Sequence, residues 1–160
     1  VYNNPNKVVV VSGDKDLMQL QSPDVHYYDL NQKALLSERF IAGKWHIKHP
    51  SQLAIALAII GDPVDNIEGI PRWGPKRTQK LFEAVPREAS FKDALEIVVA
   101  QIPEELQPAF WASLDRTLLN RDVPGVPEPA PILLEEPDVI ESLGLPIGDM
   151  YRQLWSVYTC

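Results

Sequence analysis

From Lys7 to Ser12 the chain reads Lys-Val-Val-Val-Val-Ser, a β-branched run with no polar alternation. A strand exposed on one face alternates; one covered on both faces does not, and that is the habit of parallel sheets flanked by helices. The run therefore predicts an α/β chain with this strand covered on both faces. It stops at Gly13, and Asp14-Lys15-Asp16-Leu17-Met18-Gln19-Leu20 then starts a helix with an acidic first turn. Open α/β sheets bind ligands where their strands run out at the carboxyl ends, and Asp14 and Asp16 lie at such an end. Asp14 admits two readings here, a helix N-cap or a ligand.

Val25 to Asp29 reads as a second strand, followed by a short helix or turn around Ser37 to Phe40. His46 and His49 are three apart, but such a pair without a Cys or a third His is the ordinary pattern of an exposed surface, and they stay outside the site. Pro50-Ser51 opens a helix through Ile60, with Ser51 as its cap. That helix is apolar almost all round, which implies burial. Its longest apolar run, Leu53 to Ile60, has eight residues, against the ~20 needed to span a bilayer. No membrane association is expected.

The helix delivers Gly61-Asp62-Pro63-Val64-Asp65-Asn66-Ile67-Glu68-Gly69-Ile70-Pro71-Arg72-Trp73-Gly74-Pro75-Lys76-Arg77. Asp62 and Asp65, at i and i+3, fall on one side of a turn. Gly69 and Gly74 bracket a hairpin, placed where positive φ and close backbone approach are needed. Pro75 suits the first turn of a helix. Arg72, Lys76, Arg77 and Lys80 carry positive charge with no acid among them, beside a helix N-terminus that favours phosphate. The competing reading is a solvated turn between two helices.

Beyond this point, Arg87 to Gln101 and Glu104 to Asn120 have helical periodicity, with Leu106, Phe110, Leu114 and Leu118 every four residues and Trp111 expected in the core. Residues 122–137, with five prolines, read as an extended connection in which Ile132 to Leu134 adds an edge strand. Helices Asp138 to Leu143 and Gly148 to Tyr158 close the chain, docking through Leu154 and Trp155. A net charge of −7 argues against a nucleic-acid coat or a membrane-surface protein, although the basic residues cluster locally between Arg72 and Lys80. The one cysteine, Cys160, excludes an internal disulfide and fits a reducing compartment. No signal-peptide pattern opens the chain; it begins with Val1, as the middle of something larger would.

Four carboxylates in two pairs, without Cys or His partners, are ligands for hard divalent ions such as Mg2+ or Mn2+. Two such ions ~4 Å apart activate water and stabilise the leaving oxygen of a phosphodiester. A helix-hairpin-helix after the second pair would grip a duplex backbone without reading sequence.

Ser12-Gly13-Asp14-Lys15-Asp16-Leu17-Met18-Gln19-Leu20 and the stretch from Gly61 to Thr78 resemble the 5′-nuclease family. That family includes the 5′–3′ exonuclease domain of bacterial DNA polymerase I, phage 5′-exonucleases and flap endonucleases. The resemblance covers about the first 85 residues well; the helical and proline-rich C-terminal part more loosely resembles phage members such as the ribonuclease H of T-even phages. It implies a PIN-like parallel-sheet core over residues 1–60, an acidic loop and helix-hairpin-helix over 61–85, and a helical C-terminal region over 86–160. It further implies that Asp14, Asp16, Asp62 and Asp65 are the catalytic acids at the second metal position, and that Gly69, Arg72, Gly74, Lys76, Arg77, Thr78 and Lys80 bind duplex DNA bearing a 5′ end or flap. A K+ ion on hairpin carbonyls and a cytoplasmic setting, in a bacterial or phage-infected cell, belong to the same expectation. Trp73 departs from the small or aliphatic residue usual at its position. The family's upstream acids and arch have no counterpart here, so the expectation is a C-terminal half whose sheet and site another polypeptide, or a missing segment, completes. The alternative is a non-catalytic DNA-binding module that keeps the hairpin and does no chemistry; a purely structural adaptor leaves the basic hairpin unexplained.

Overall fold

A computed structural model of the chain describes residues 8–120, 124–125, 137–138 and 148–159. Strand β1 (Val8–Ser12) pairs in parallel with β2 (Val25–Asp29), which pairs antiparallel with β3 (Ala34–Leu36). The sheet is thus mixed, in the order β1-β2-β3. The expected strands β1 and β2 are present. Among the described residues β1 lies at the edge of the sheet, and its Val8 and Val11 are exposed. The expectation of a strand covered on both faces is corrected to β2, whose Tyr27, Tyr28 and Asp29 are all buried.

A 3-10 helix (Lys15–Leu20) joins β1 to β2, and α1 (Glu38–Trp45) follows β3, capped by the Ser37 hydroxyl. The next helix begins differently from the reading above. Pro50–Gln52 is a 3-10 turn whose N-cap is His49, its ring accepting from Ser51 N; Ser51 is not the cap. Gln52, fully buried, bonds Lys48 N, His49 N and Ala89 O, so its amide satisfies three groups that would otherwise be stranded.

Helix α2 (Leu53–Ile60) is the centre of the molecule. Leu53, Ile55, Leu57 and Ile59 are each at most 1% exposed, and burying one such side chain is worth ~1.5–3 kcal/mol. It packs chiefly on α5 (Gln107–Thr117), where the Thr117 hydroxyl donates to Ala54 O, and also meets α3 (Pro75–Glu83). Helix α4 (Phe91–Val99), opened by a Ser90–Asp93 capping box, closes the far side with Ala94 and Val98. Both helices are shorter than the periodicity suggested. Phe110 and Leu114 are buried as expected, whereas Trp111 and Leu118 are exposed, so Trp111 is not a core residue.

The last helix, α6 (Asp149–Thr159), reaches the sheet through Gln153, which accepts from Leu35 N and donates to Lys33 O. Val157 is buried, with Leu154 and Trp155 half-buried. The expected strand at Ile132 to Leu134 lies outside the described residues, as do most of the connection 122–137 and of the helix Asp138 to Leu143. Among the described residues no helix is long and apolar enough to cross a membrane.

Candidate metal centre and nucleic-acid interface

Two loops build the acidic site. The first leaves β1 through Gly13. The Tyr27 hydroxyl lies 2.9 Å from Ser12 O and 2.8 Å from Asp14 O, its proton shared between two carbonyls. Burial, with the charges of Asp29 and Asp14, pushes that phenol up to about 12, so it stays a donor. Asp14 then caps the 3-10 helix, its Oδ1 accepting from Asp16 N at 2.9 Å. The N-cap reading of Asp14 is therefore part of its role, and the cap turns Asp16 toward the second loop.

The second loop hangs on a backbone interlock. Gly61 (φ 84°) ends α2, and Gly69 (φ 70°) packs against it main chain to main chain. A Cβ on Gly61 would lie 2.6 Å from Glu68 O, and one on Gly69 would lie 2.7 Å from the Ile60 carbonyl carbon. Inside the interlock Asp62 N donates to Ile67 O (2.7 Å) and Ile67 N to Asp62 O (2.8 Å). Ile70 N reaches Ile59 O, and Gly69 N donates to the Ser113 hydroxyl. Arg116 holds the loop tip, donating to Asn66 O at 2.9 Å and Asp65 O at 3.0 Å.

Asp16, Asp62 and Asp65 each present a carboxylate oxygen within 4.8 Å of the others. Asp62 is 2% exposed, and Asp14 is not part of this trio. Lys15 lies among them: its Nζ ion-pairs with Asp62 Oδ2 and stands 3.5 Å from Asp65 Oδ2 and 4.0 Å from Asp16 Oδ1. Burial raises the Asp62 pKa, but the Lys15 ammonium and the Val64 N–H outweigh it and the net shift is downward. For Asp16, burial wins over Lys15 and, with the neighbouring acids, moves the carboxyl upward. Burial likewise opposes the Lys15 ammonium, yet its bond to Asp62 and the fields of the three acids raise it.

Three carboxylates against one ammonium leave two charges uncompensated, and Asp16 Oδ1 is buried without a hydrogen bond. That donor set, hard oxygens with a surplus of two negative charges, suits a divalent ion such as Mg2+ or Mn2+. Beside Lys15 a cleft of about 1130 Å3 opens at the carboxyl ends of β1 and β2, lined by Gly13, Asn31, Arg39 and Lys44 among others.

The basic segment follows at once. A turn closed by Trp73 N to Ile70 O puts Pro71 and Arg72 at its tip, with Arg72 at φ 66°. Gly74 is extended (φ −138°), so the positive φ expected there falls on Arg72 instead. Pro75 opens α3; Arg77 N and Thr78 N both donate to Gly74 O, which leaves Lys76 N as the uncommitted main-chain donor of the first turn. Arg72, Lys76, Arg77 and Lys80 are exposed, and Arg77 Cζ sits 4.5 Å from the Trp73 ring centroid. Arg72, Gly74, Lys76 and Arg77 line one open hollow. Gly69 and Thr78 are buried, contrary to the expectation that they touch DNA. They lie beneath the turn, whereas Arg72, Lys76, Arg77 and Lys80 are at the surface.

Lys15, Ser113 and Arg116 are site residues that the sequence reading passed over. Nothing local marks them, because each meets the acidic loop across roughly fifty residues of chain.

No protein-family model matches the chain. It is 36% identical over 117 residues to DNA polymerase I of Rhizobium leguminosarum, covering 72% of this chain and 11% of that protein. It is 34% identical over 115 residues to flap endonuclease Xni of Vibrio campbellii, covering 72% of this chain and 40% of the relative. The chain thus spans well under half the length of either. In fold it is similar to the bacteriophage T5 flap endonuclease solved with DNA and metal ions (TM-score 0.52, 17% identity, 71% of this chain and 43% of that one). It is also similar to the T5 5′-exonuclease with bound zinc (TM-score 0.51, 18% identity, covering 70% and 43%).

Proposed function

The aligned part of this chain belongs to the 5′-nuclease family, and on that premise we propose that it is the DNA-gripping, acid-bearing part of a divalent-metal-dependent 5′–3′ exonuclease or flap endonuclease. The observation that carries this reading is the convergence of Asp16, Asp62 and Asp65 directly ahead of the basic turn and α3. Asp16, Asp62 and Asp65 would hold a Mg2+ or Mn2+ ion, with Asp14 positioning the turn and adding charge. Such an ion, when bound, supplies Lewis-acid stabilisation of phosphodiester charge and a more acidic water. The chain's own work is to place that charge beside a phosphate backbone. Arg72, Lys76, Arg77 and Lys80 offer cations, and the Lys76 amide offers a main-chain donor, none of which reads base sequence. A K+ ion on the hairpin carbonyls would reinforce this grip.

In this reading the catalytic site is shared. Among the described residues one three-acid cluster forms, enough for one ion of a two-ion pair, and the β1 edge offers unpaired backbone to a further strand. Another polypeptide, or another part of the same one, would supply the remaining acids and strands. The test is cleavage of a labelled 5′-flap duplex with Mg2+ by the 160-residue chain, with Asp62→Ala as the contamination control. DNA binding without cleavage is the expected result. Cleavage that Asp62→Ala abolishes would show a complete site within this chain and end the shared-site reading. Failure to bind the duplex at low salt would remove the nuclease reading altogether.

A further inference from the structure

Lys15 is a charged residue for which the function proposed above has no use. It opens the 3-10 helix between the two aspartates of the first loop, yet its ammonium reaches across to the second loop and contacts Asp62 while facing Asp65 and Asp16. These are the same three carboxylates whose oxygens converge. An acid as buried as Asp62, crowded by two others, is costly to keep ionised unless a cation stands among them. The Lys15 side chain is itself 27% exposed and lines the cleft beside the site, so the ammonium has water to swing into. An ammonium on a flexible stem makes a mobile counter-charge, unlike a guanidinium fork.

We infer that Lys15 is a resident counter-ion: its ammonium fills the cation position of the Asp16–Asp62–Asp65 cluster, and a divalent ion enters by displacing it. This rests on the metal-centre reading above. The resident ammonium keeps the acids gathered when no metal is present. It also lowers metal affinity, because the incoming ion must beat a charge already in place.

The test is a calorimetric Mn2+ titration of the wild-type chain, Lys15→Gln and Lys15→Arg, with thermal midpoints taken in EDTA and in saturating Mn2+. Lys15→Gln should bind Mn2+ roughly tenfold more tightly, a single lost competitor. It should also melt earlier than wild type in EDTA and regain that loss with Mn2+. Lys15→Arg, whose fork leaves less readily, should bind more weakly than wild type. Wild-type binding with Lys15→Gln equal or weaker would make Lys15 a pin that orders the acids, and the inference would be overturned while the metal site stood. No binding by any of the three would overturn both. Should Lys15→Gln not fold in EDTA, the arginine variant decides, since equal or tighter Mn2+ binding by it contradicts displacement.

Discussion

Gly61 and Gly69 touch main chain to main chain, both at positive φ, and so close the loop that carries Asp62 and Asp65. Neither position has room for a methyl group, and the atoms in the way are backbone atoms that cannot rotate aside. Gly61→Ala and Gly69→Ala should each cost ~2–4 kcal/mol, combining left-handed strain with the overlap. Urea denaturation of the two variants reads this directly. A loss within ~0.5 kcal/mol at either position would mean that the interlock is loose.

Asp29 should govern part of the acid stability. It is buried, which pushes its pKa up. The Gln32 amide, the Asn31 and Gln32 N–H groups and the Lys44 charge outweigh that, and the net shift is downward. A depressed carboxyl stabilises the fold above its unfolded pKa of ~3.9, and that contribution is lost as the pH falls through the lower folded value. Asp29→Asn should therefore cost ~1–2 kcal/mol at pH 7 and show a shallower decline as the pH falls below the unfolded value. Equal slopes for variant and wild type would contradict this.

Arg72 sets stability against binding. At φ 66° it occupies a conformation that favours glycine, behind Pro71 at the tip of the turn. Arg72→Gly is expected to stabilise the chain by ~0.5–1 kcal/mol through relief of left-handed strain, while weakening duplex DNA binding by removing one phosphate contact. The two effects are read separately, by thermal melting and by fluorescence anisotropy. A variant that melts earlier would show that the turn needs the arginine.

The basic residues make a prediction about salt. Binding to duplex DNA should weaken steeply with added KCl, and Lys76→Ala or Arg77→Ala should each reduce the log–log slope by about one, without changing sequence preference. Trp73→Ala should also weaken binding, because the ring that holds Arg77 at 4.5 Å would be gone; that stacking is worth ~0.5–1 kcal/mol at an exposed site. Binding insensitive to salt would count against the phosphate grip.

Much of the frame was legible because single properties of short windows determine it. The valine run gives β1, the uniformly apolar Leu53–Ile60 gives the buried central helix, and Gly74-Pro75 gives the start of α3. Other features depended on partners far along the chain. β3 is three residues long and exists through its pairing with β2, so no alternation could announce it. By residue type Gly74 is the natural holder of positive φ, whereas the turn imposes it on Arg72. Trp111, apolar and at helical spacing, was placed inside by composition, yet α5 presents Phe110 and Leu114 to the core and turns Trp111 out. At the site, the acids could be read from their spacing. The ammonium among them could not, because lysine between two aspartates looks the same whether it faces solvent or a loop fifty residues away.

Arg116 grips the acidic loop by the carbonyl oxygens of Asp65 and Asn66, leaving their side chains alone. With Asp62 and Ile67 paired through the backbone as well, the loop's path is settled before any carboxylate chooses a partner. The displacement inferred for Lys15 would then require rotation about side-chain bonds only. For a part-exposed side chain such as Lys15 these rotations run far faster than the microseconds or longer needed to rebuild a loop. Loading and emptying of this site should accordingly be timed by ion dehydration and diffusion, with no slow step belonging to the protein.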